Sequence, residues 1–297
     1  MTAAPRKFAV LTMDVEDWYH TEYLKRPESD TRYTMLDGVH VFRDLMNEAG
    51  VPASFFVLGE LVAGLKSELR ELSAAGHEIG SHGQSHRRPL TVSPQEFGEE
   101  IRRCRLELED TLGRQGFGFR APCFSLDRER LQQVIDQGFA YDSSRIQFSD
   151  HPLYGTLNLD GFAPVSPWIH RLRGSDFFEF EMSTLAFGGK QLPVSGGGYL
   201  RIFPWLLMKR MIGRYLNGSE FYILYIHPSE LSEQNNPPYP EDVRFLQKRR
   251  FETGRGTVAR KIRRLIELLK HEQFEFTTFE NLRARLLTGD VSVSPAA

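Results

Sequence analysis

Residues 8–18 read FAVLTMDVEDW, and the rest of the chain is best understood outward from them. The segment opens as an unbroken apolar run and ends in three carboxylates, Asp14, Glu16 and Asp17, within four residues. A continuous apolar run of this length suits a strand buried on both faces, as in parallel sheets. Acids so closely spaced disfavour one another's charge and need a positive partner to stay ionised together. The question set by this segment is what supplies that charge.

The same pattern recurs. After a strand over 7–13, the stretch 37–49 (DGVHVFRDLMNEA) has helical periodicity and is closed by Gly50. A buried strand follows in VPASFFVLGE, then a helix near 60–75 ending at Gly76, then a short strand in HEIGSHG. Ser93-Pro94 opens a helix to about 113, GFGFRAP gives another strand, and Asp127–Gln137 another helix. Phe139-Ala140-Tyr141 is a strand ending at Asp142, and FYILYIHP is the most apolar strand of all. Strands alternating with helices imply βα units and a parallel sheet or barrel, with functional groups at the carboxyl ends of the strands. The polar clusters fall there: Asp14–Asp17, His82–His86, Arg120–Ser125, Asp142 and His227. Their shared position makes them one expected site. Residues 145–200, rich in Gly, Pro and Ser, read as loops and hairpins over it, and 241–283 as a charged helical tail with a last strand in FEFTTFENL.

The 297 residues carry 37 Lys and Arg against 39 Asp and Glu, a net charge of -2 that gives no global reason to expect nucleic acid. The length and the absence of a repeat or low-complexity linker suit a single domain over 1–297. Cys104 and Cys123 form neither a disulfide framework nor a CxxC pair. The first apolar run is too short for a signal sequence and is broken by acids, and no 18-residue apolar span occurs. A soluble, cytoplasmic protein without a transmembrane segment is expected. The basic helix at 255–270 is foremost a solvated face, with an electrostatic approach to the inner face of the membrane as the alternative.

His82 and His86 stand four apart, so that one helical turn would put both imidazoles on one face. HxxxH alone is a common pattern; with a strand-end acid it becomes a two-His, one-carboxylate site for zinc or a similar divalent ion. Arg120, at a strand mouth, is suited to hold a carboxylate that acts as a base. His227 is equally readable as a satisfied structural residue and as a proton donor. Asp142 fits a turn or cap, or orients Arg120 or His227, and His77 faces the structure rather than an ion. Cys123 lacks a neighbouring base and reads as packing.

Together TMDVED (12–17), SHGQSH (81–86), FRAP (119–122) and YIHP (225–228) resemble, in order and spacing, the motifs of carbohydrate esterase family 4 polysaccharide deacetylases, the NodB-homology fold. The likeness runs from about 8 to 230, with 231–297 as an extension. The forms DVEDW, RAPCFS and IHPSEL are similar to the branch associated with bacterial exopolysaccharide loci.

The resemblance implies a distorted (β/α) barrel with fewer than eight strands, and removal of acetyl groups from N-acetylhexosamine units of a glycan, either free or lipid-linked. It implies a divalent ion, zinc before cobalt, nickel or manganese. Carried over, Asp14 is the general base, Arg120 its positioning partner, His227 the general acid, and His82 and His86 metal ligands. The backbone N–H near Cys123 would hold the oxyanion. The third ligand stays open between Glu16 and Asp17: strand alternation favours Glu16, whereas a bend after the strand would bring in Asp17. The remaining rivals are a related hydrolase of another amide or cyclic ureide and a silent carbohydrate-binding homologue. Nothing in the sequence speaks to oligomeric state.

Overall fold

The computed structural model describes residues 6–148 and 151–291. The first five residues, on which the reading of the N-terminus partly rests, lie outside them. Twelve strands occur among the described residues: β1 (Lys7–Val15), β2 (Ser54–Val57), β3 (Glu78–Ser81), β4 (Gly118–Phe119), β5 (Tyr141–Asp142), β6 (Phe162–Ser166), β7 (Ile169–Leu172), β8 (Phe178–Phe180), β9 (Thr184–Phe187), β10 (Lys190–Pro193), β11 (Phe221–Ile226) and β12 (Phe274–Phe276). The main sheet runs β11-β1-β2-β3-β4-β5-β8-β7-β6, with β12 added alongside β1. Pairing is parallel from β11 to β8 and antiparallel only in the last two steps. The path is open: a curled half-barrel of mostly parallel strands wrapped by helices.

Alternation along β1 shows how the sequence builds it. Phe8 and Val10 point into an inner cluster with Phe56, Tyr141, Phe180, Ile223 and Phe279. Ala9, Leu11, Met13 and Val15 point outward to pack beneath the helices. Both faces are therefore covered, which is why the strand is apolar without a break. Thr12 and Asp14 continue the inner column toward the carboxyl end, where the apolar filling gives way to polar groups.

Helix ends follow local chemistry. Asp37–Ala49 stops at Gly50 (φ 64°), and Pro94–Leu112 starts at a Ser93–Glu96 capping box and stops at Gly113 (φ 67°). Asp127 caps Arg128–Asp136. The expected helix near 60–75 is two pieces, Gly59–Val62 and Lys66–Ala74.

Two expectations need correction. Residues 145–200 hold the expected hairpins, β6–β7 and β9–β10, but are not only loops and hairpins above the site. β8 enters the main sheet beside β5, buried along its length, and β6–β7 extend it. The Glu179 and Glu181 side chains in and after β8 are buried, with the Arg145 N–H donating to Glu179 and the Arg145 guanidinium paired with Glu181. The basic helix at 255–270 has internal duties as well. The Lys261 ammonium donates to the carbonyls of Leu200, Arg201 and Phe203, and Arg255 donates to those of Ser229, Ser232 and Gln234.

At the start of β3, in register with Ser54 and Thr12, Glu78 is buried between the Ser54 and Tyr141 hydroxyls, which donate at 2.5 and 2.6 Å. Burial raises its carboxyl to about 7 against these hydrogen bonds. A carboxyl raised on folding contributes stability that is full below its unfolded range near 4.5 and is lost as pH rises through about 7. The wild-type protein is therefore expected to lose up to about 3 kcal/mol between pH 5 and pH 8 through this group. Glu78→Gln should flatten that slope in denaturant titrations, and an unchanged slope would refute the assignment.

Candidate active site

Six of the sequence-selected residues line one cleft of about 660 Å³ at the carboxyl ends of the strands: Asp14, Glu16, His82, His86, Cys123 and His227. Asp17, Arg120 and Asp142 stand behind or beside it.

Glu16 sits one residue beyond β1 on the face of Asp14, as alternation requires, and is buried. Its Oε2 has no hydrogen-bond donor, touches His86 Nε2 and lies 3.8 Å from His82 Nε2. One ligand atom from each of Glu16, His82 and His86 falls within 4.8 Å of the others. Burial works against the Glu16 charge, but the imidazoles of His86, His227 and His82 hold its carboxyl well below the usual range. His82 Nδ1 lies 2.9 Å from the Arg120 carbonyl. A carbonyl only accepts, so Nδ1 carries the proton and Nε2 turns its lone pair toward Glu16. A bare carboxylate oxygen facing two imidazole nitrogens in a buried pocket is a donor set that fits a divalent ion.

Asp17 does not join this cluster. It is the N-cap of the turn Trp18–His20: its Oδ1 accepts from Trp18 N at 2.7 Å and Met35 N at 2.9 Å, while its own N–H donates to His20 Nδ1. The expected bend does occur, but it carries Asp17 away to satisfy backbone donors. The helical reading of HxxxH also fails. Residues 82–86 form a loop, with Gly83 at φ 82° and His86 at φ 52°, held by hydrogen bonds from Gly59 N to Gly83 O and Glu60 N to Gln84 O. The loop brings the imidazoles to 5.5 Å between ring centres without any helix.

Arg120 has no exposed surface. Its Nη1 donates to Asp14 Oδ1 at 2.8 Å and Thr12 Oγ1 at 2.6 Å, its Nε and Nη2 reach Ser143, and its guanidinium lies 4.2 Å above the Phe56 ring. Asp142 touches neither Arg120 nor His227. It accepts from the Ser144 hydroxyl, which in turn accepts from Ala121 N, so it steadies the segment after Arg120 from one step away.

His227 follows β11, 3.8 Å from Glu16. Glu230, which the sequence reading did not single out, caps it: one carboxylate oxygen accepts from His227 N at 3.1 Å and lies 3.4 Å from Nδ1. A Cβ on Gly197 would stand 2.0 Å from that oxygen, so the glycine makes room for it. Burial would lower the His227 imidazole, but Glu16, Glu230 and Asp14 raise it to about 9, a value that a dication at Glu16 would partly offset. The sequence signal for Glu230 is its place as the fourth residue of HPSE, three after His227, the spacing of a cap. Cys123 and Phe124 both hold positive φ, 54° and 52°, uncommon for side chains other than glycine, which turns this backbone along the cleft wall. Burial, with Glu16 and Glu22, pushes the Cys123 thiol well up, which leaves it neutral and no nucleophile.

Residues 34–141 match the polysaccharide deacetylase family model, and residues 143–284 match a domain of unknown function, DUF3473. With this match, the fold and the motif order agree. Over residues 34–141 the chain resembles polysaccharide deacetylases, and its fold is that of carbohydrate esterase family 4 structures. It is similar to the peptidoglycan deacetylase of Helicobacter pylori, 24% identical over 39% of this chain and 40% of that protein. It is also similar to the chitooligosaccharide deacetylase of a Bradyrhizobium strain, 34% identical over 20% of this chain and 26% of that one. These matches span 40% or less of the relatives' own length. Among solved structures, a protein assigned as a polysaccharide deacetylase from Mycobacterium smegmatis superposes with a TM-score of 0.65 at 15% identity, covering 100% of this chain and 95% of that one. A family 4 pseudoenzyme from Bacillus anthracis superposes at 0.53 and 14% identity, covering 95% and 70%. At these identities the likeness is one of fold. Within this carbohydrate esterase scaffold no described helix is long and apolar enough to cross a membrane.

The geometry separates the two acids that the sequence left open. Loaded with zinc and washed, Glu16→Gln is expected to bind at least about 10–100-fold more weakly. Asp17→Ala should keep one ion per chain while losing about 1–2 kcal/mol of stability with its cap. Metal content by mass spectrometry and a melting curve check both, and equal metal loss in the two variants would overturn the distinction.

Proposed function

We propose that this chain is a metal-dependent N-deacetylase of N-acetylhexosamine units in a poly- or oligosaccharide. One observation carries the reading: Glu16, His82 and His86 offer an ion-binding set in the same cleft as an Arg120-held carboxylate and an acid-capped imidazole. The relatives' names, peptidoglycan and chitooligosaccharide deacetylase, supply the substrate class. We further assign the ion as zinc, from the imidazole and carboxylate donors. The setting we assign is the synthesis of a bacterial exopolysaccharide or other cell-surface glycan at the cytoplasmic face.

When bound, the ion supplies positive charge that acidifies a water and polarises the acyl carbonyl. The remaining work belongs to the chain. Asp14, oriented by Arg120 and with Thr12 sharing the same guanidinium nitrogen, takes the proton of the attacking water through its free oxygen. We assign the backbone N–H at Cys123, a residue of the cleft wall, to the charge that develops on the carbonyl oxygen. Protonated His227, held through Nδ1 by Glu230, presents Nε2 to the leaving nitrogen and delivers the proton that frees the amino sugar. Acetate and the free amine result.

The test is acetate release from N-acetylglucosamine oligomers by the purified chain. Activity is expected to disappear with a chelator and return with zinc. Asp14→Asn and His227→Ala should each lower kcat by about 10²–10⁴-fold. Chelator-insensitive release, or full activity in Asp14→Asn, overturns the mechanism. No release from any acetylated sugar by metal-loaded protein would point instead to another amide substrate or to a silent homologue.

A further inference from the structure

Among the described residues, six of the eight large apolar side chains that stand in solvent lie on a hairpin and three helices: Phe187 at the end of β9, Ile202 at the end of Gly197–Ile202, Leu206 and Leu207 on Trp205–Leu216, and Phe245 and Leu246 on Phe245–Glu252. Leu206 is 60% exposed, Phe245 71% and Leu246 78%. Such side chains scattered singly would be ordinary; together they form an apolar surface that calls for a partner.

Charge identifies the partner. The helix Trp205–Leu216 (WLLMKRMIGRYL) contains Lys209, Arg210 and Arg214 and no acid, and its solvent face carries all three beside Leu206 and Leu207. Phe187, at the end of β9, lies with its ring under the Arg214 guanidinium at 5.8 Å. The helix Phe245–Glu252 (FLQKRRFE) presents Phe245 and Leu246 with Arg249 and Arg250 one turn on. Both elements are basic in a chain whose net charge is -2. Apolar side chains interleaved with Lys and Arg on the exposed side of helices is the pattern of surfaces that lie in the headgroup region of a bilayer.

Position ties this surface to the cleft. Ile202 and Phe203, just before the first helix, and Arg250 and Phe251, at the end of the second, all line it. The buried Arg201 holds the two sides together by donating to the carbonyls of Arg250, Phe251 and Thr253. A membrane meeting both helices would therefore face the cleft mouth.

We propose that this basic, apolar rim docks the protein on an anionic lipid bilayer, so that the cleft receives a glycan held at headgroup level. The surface stands on its own evidence and rests on the deacetylase reading only for what enters the cleft. It differs from the basic helix at 255–270, whose Lys261 and Arg255 are consumed by internal carbonyls.

The test is flotation of the full chain with vesicles of phosphatidylglycerol and phosphatidylcholine, against vesicles of phosphatidylcholine alone. Binding is expected only to the anionic vesicles and should weaken with salt. L206Q/L246Q should lower partitioning by about tenfold or more, and K209Q/R210Q/R214Q should abolish the preference for anionic lipid. Leu106→Gln, an exposed apolar residue elsewhere, should change nothing. All these sites are in solvent, so melting temperatures should stay at the wild-type value, and acetate release from short soluble oligomers by L206Q/L246Q should be unaltered. Absence of vesicle binding, equal binding by the variants, or a wild-type oligomer that L206Q/L246Q dissolves, which would mark the patch as a contact between copies, each overturns the proposal. Vesicle binding without acetate release would leave it standing while the reaction assigned above fell.

Discussion

A guanidinium with no exposure to water holds the working end of this barrel together. Arg120 leaves β4 and reaches Asp14 and Thr12 on β1 and Ser143 just past β5, with Phe56 of β2 beneath it. A charge buried this deeply is tolerable only when its donors are used and an opposite charge is near. Its surroundings meet that demand: a carboxylate, a hydroxyl, a backbone carbonyl and an aromatic face. The arrangement also fixes which way Asp14 points, because one carboxylate oxygen is taken by Arg120 and the other is left for the cleft. Removing either partner would strand the other in a dry site, so stability and the orientation of the base depend on one contact.

The crowding of three acids after β1 is resolved by giving each a different environment. Asp14 faces Arg120, Glu16 faces three imidazoles, and Asp17 faces backbone N–H groups at the start of a turn. Asp14 and Glu16 lie on one side of the chain as β1 ends, and the bend into the Trp18–His20 turn carries Asp17 away to backbone donors.

Much of this was legible because barrel strands are buried on both faces. Continuous runs such as FAVL and FYILYI mark strands, and the polar residue that breaks each run marks the sheet's carboxyl end. That is why Asp14, Arg120 and His227 could be placed in one site without a fold in hand. What stayed hidden depended on contacts distant in sequence or on loop backbone. The imidazoles of His82 and His86 converge through left-handed residues in a loop, and a spacing of four carries no trace of that. β8 is three residues long, and its glutamate points at a partner, Arg145, that only the folded sheet brings close. Asp17 looked interchangeable with Glu16 because nothing local shows that Met35 N, 18 residues on, needs an acceptor.

The division of labour within the cleft follows from where its walls originate. The proposed ion-binding set and base come from the end of β1 and the loop after β3, within or ahead of the segment matched by the deacetylase model. His227, the proposed acid, its Glu230 cap and much of the surrounding wall, including Tyr154, Tyr199, Arg201 and Phe251, come from the segment matched by the domain of unknown function. The same segment carries both helices of the basic apolar rim. Groups that perform a hydrolysis must be held stiffly, here at strand ends and in a loop pinned by backbone hydrogen bonds, since a misplacement of about 1 Å can cost about a hundredfold in rate. Groups that choose a substrate tolerate loops and short helices, and there chemistry can vary without disturbing the reaction centre. On the proposed function, the second half of the chain is thus the half that would select the glycan and the surface on which it is met.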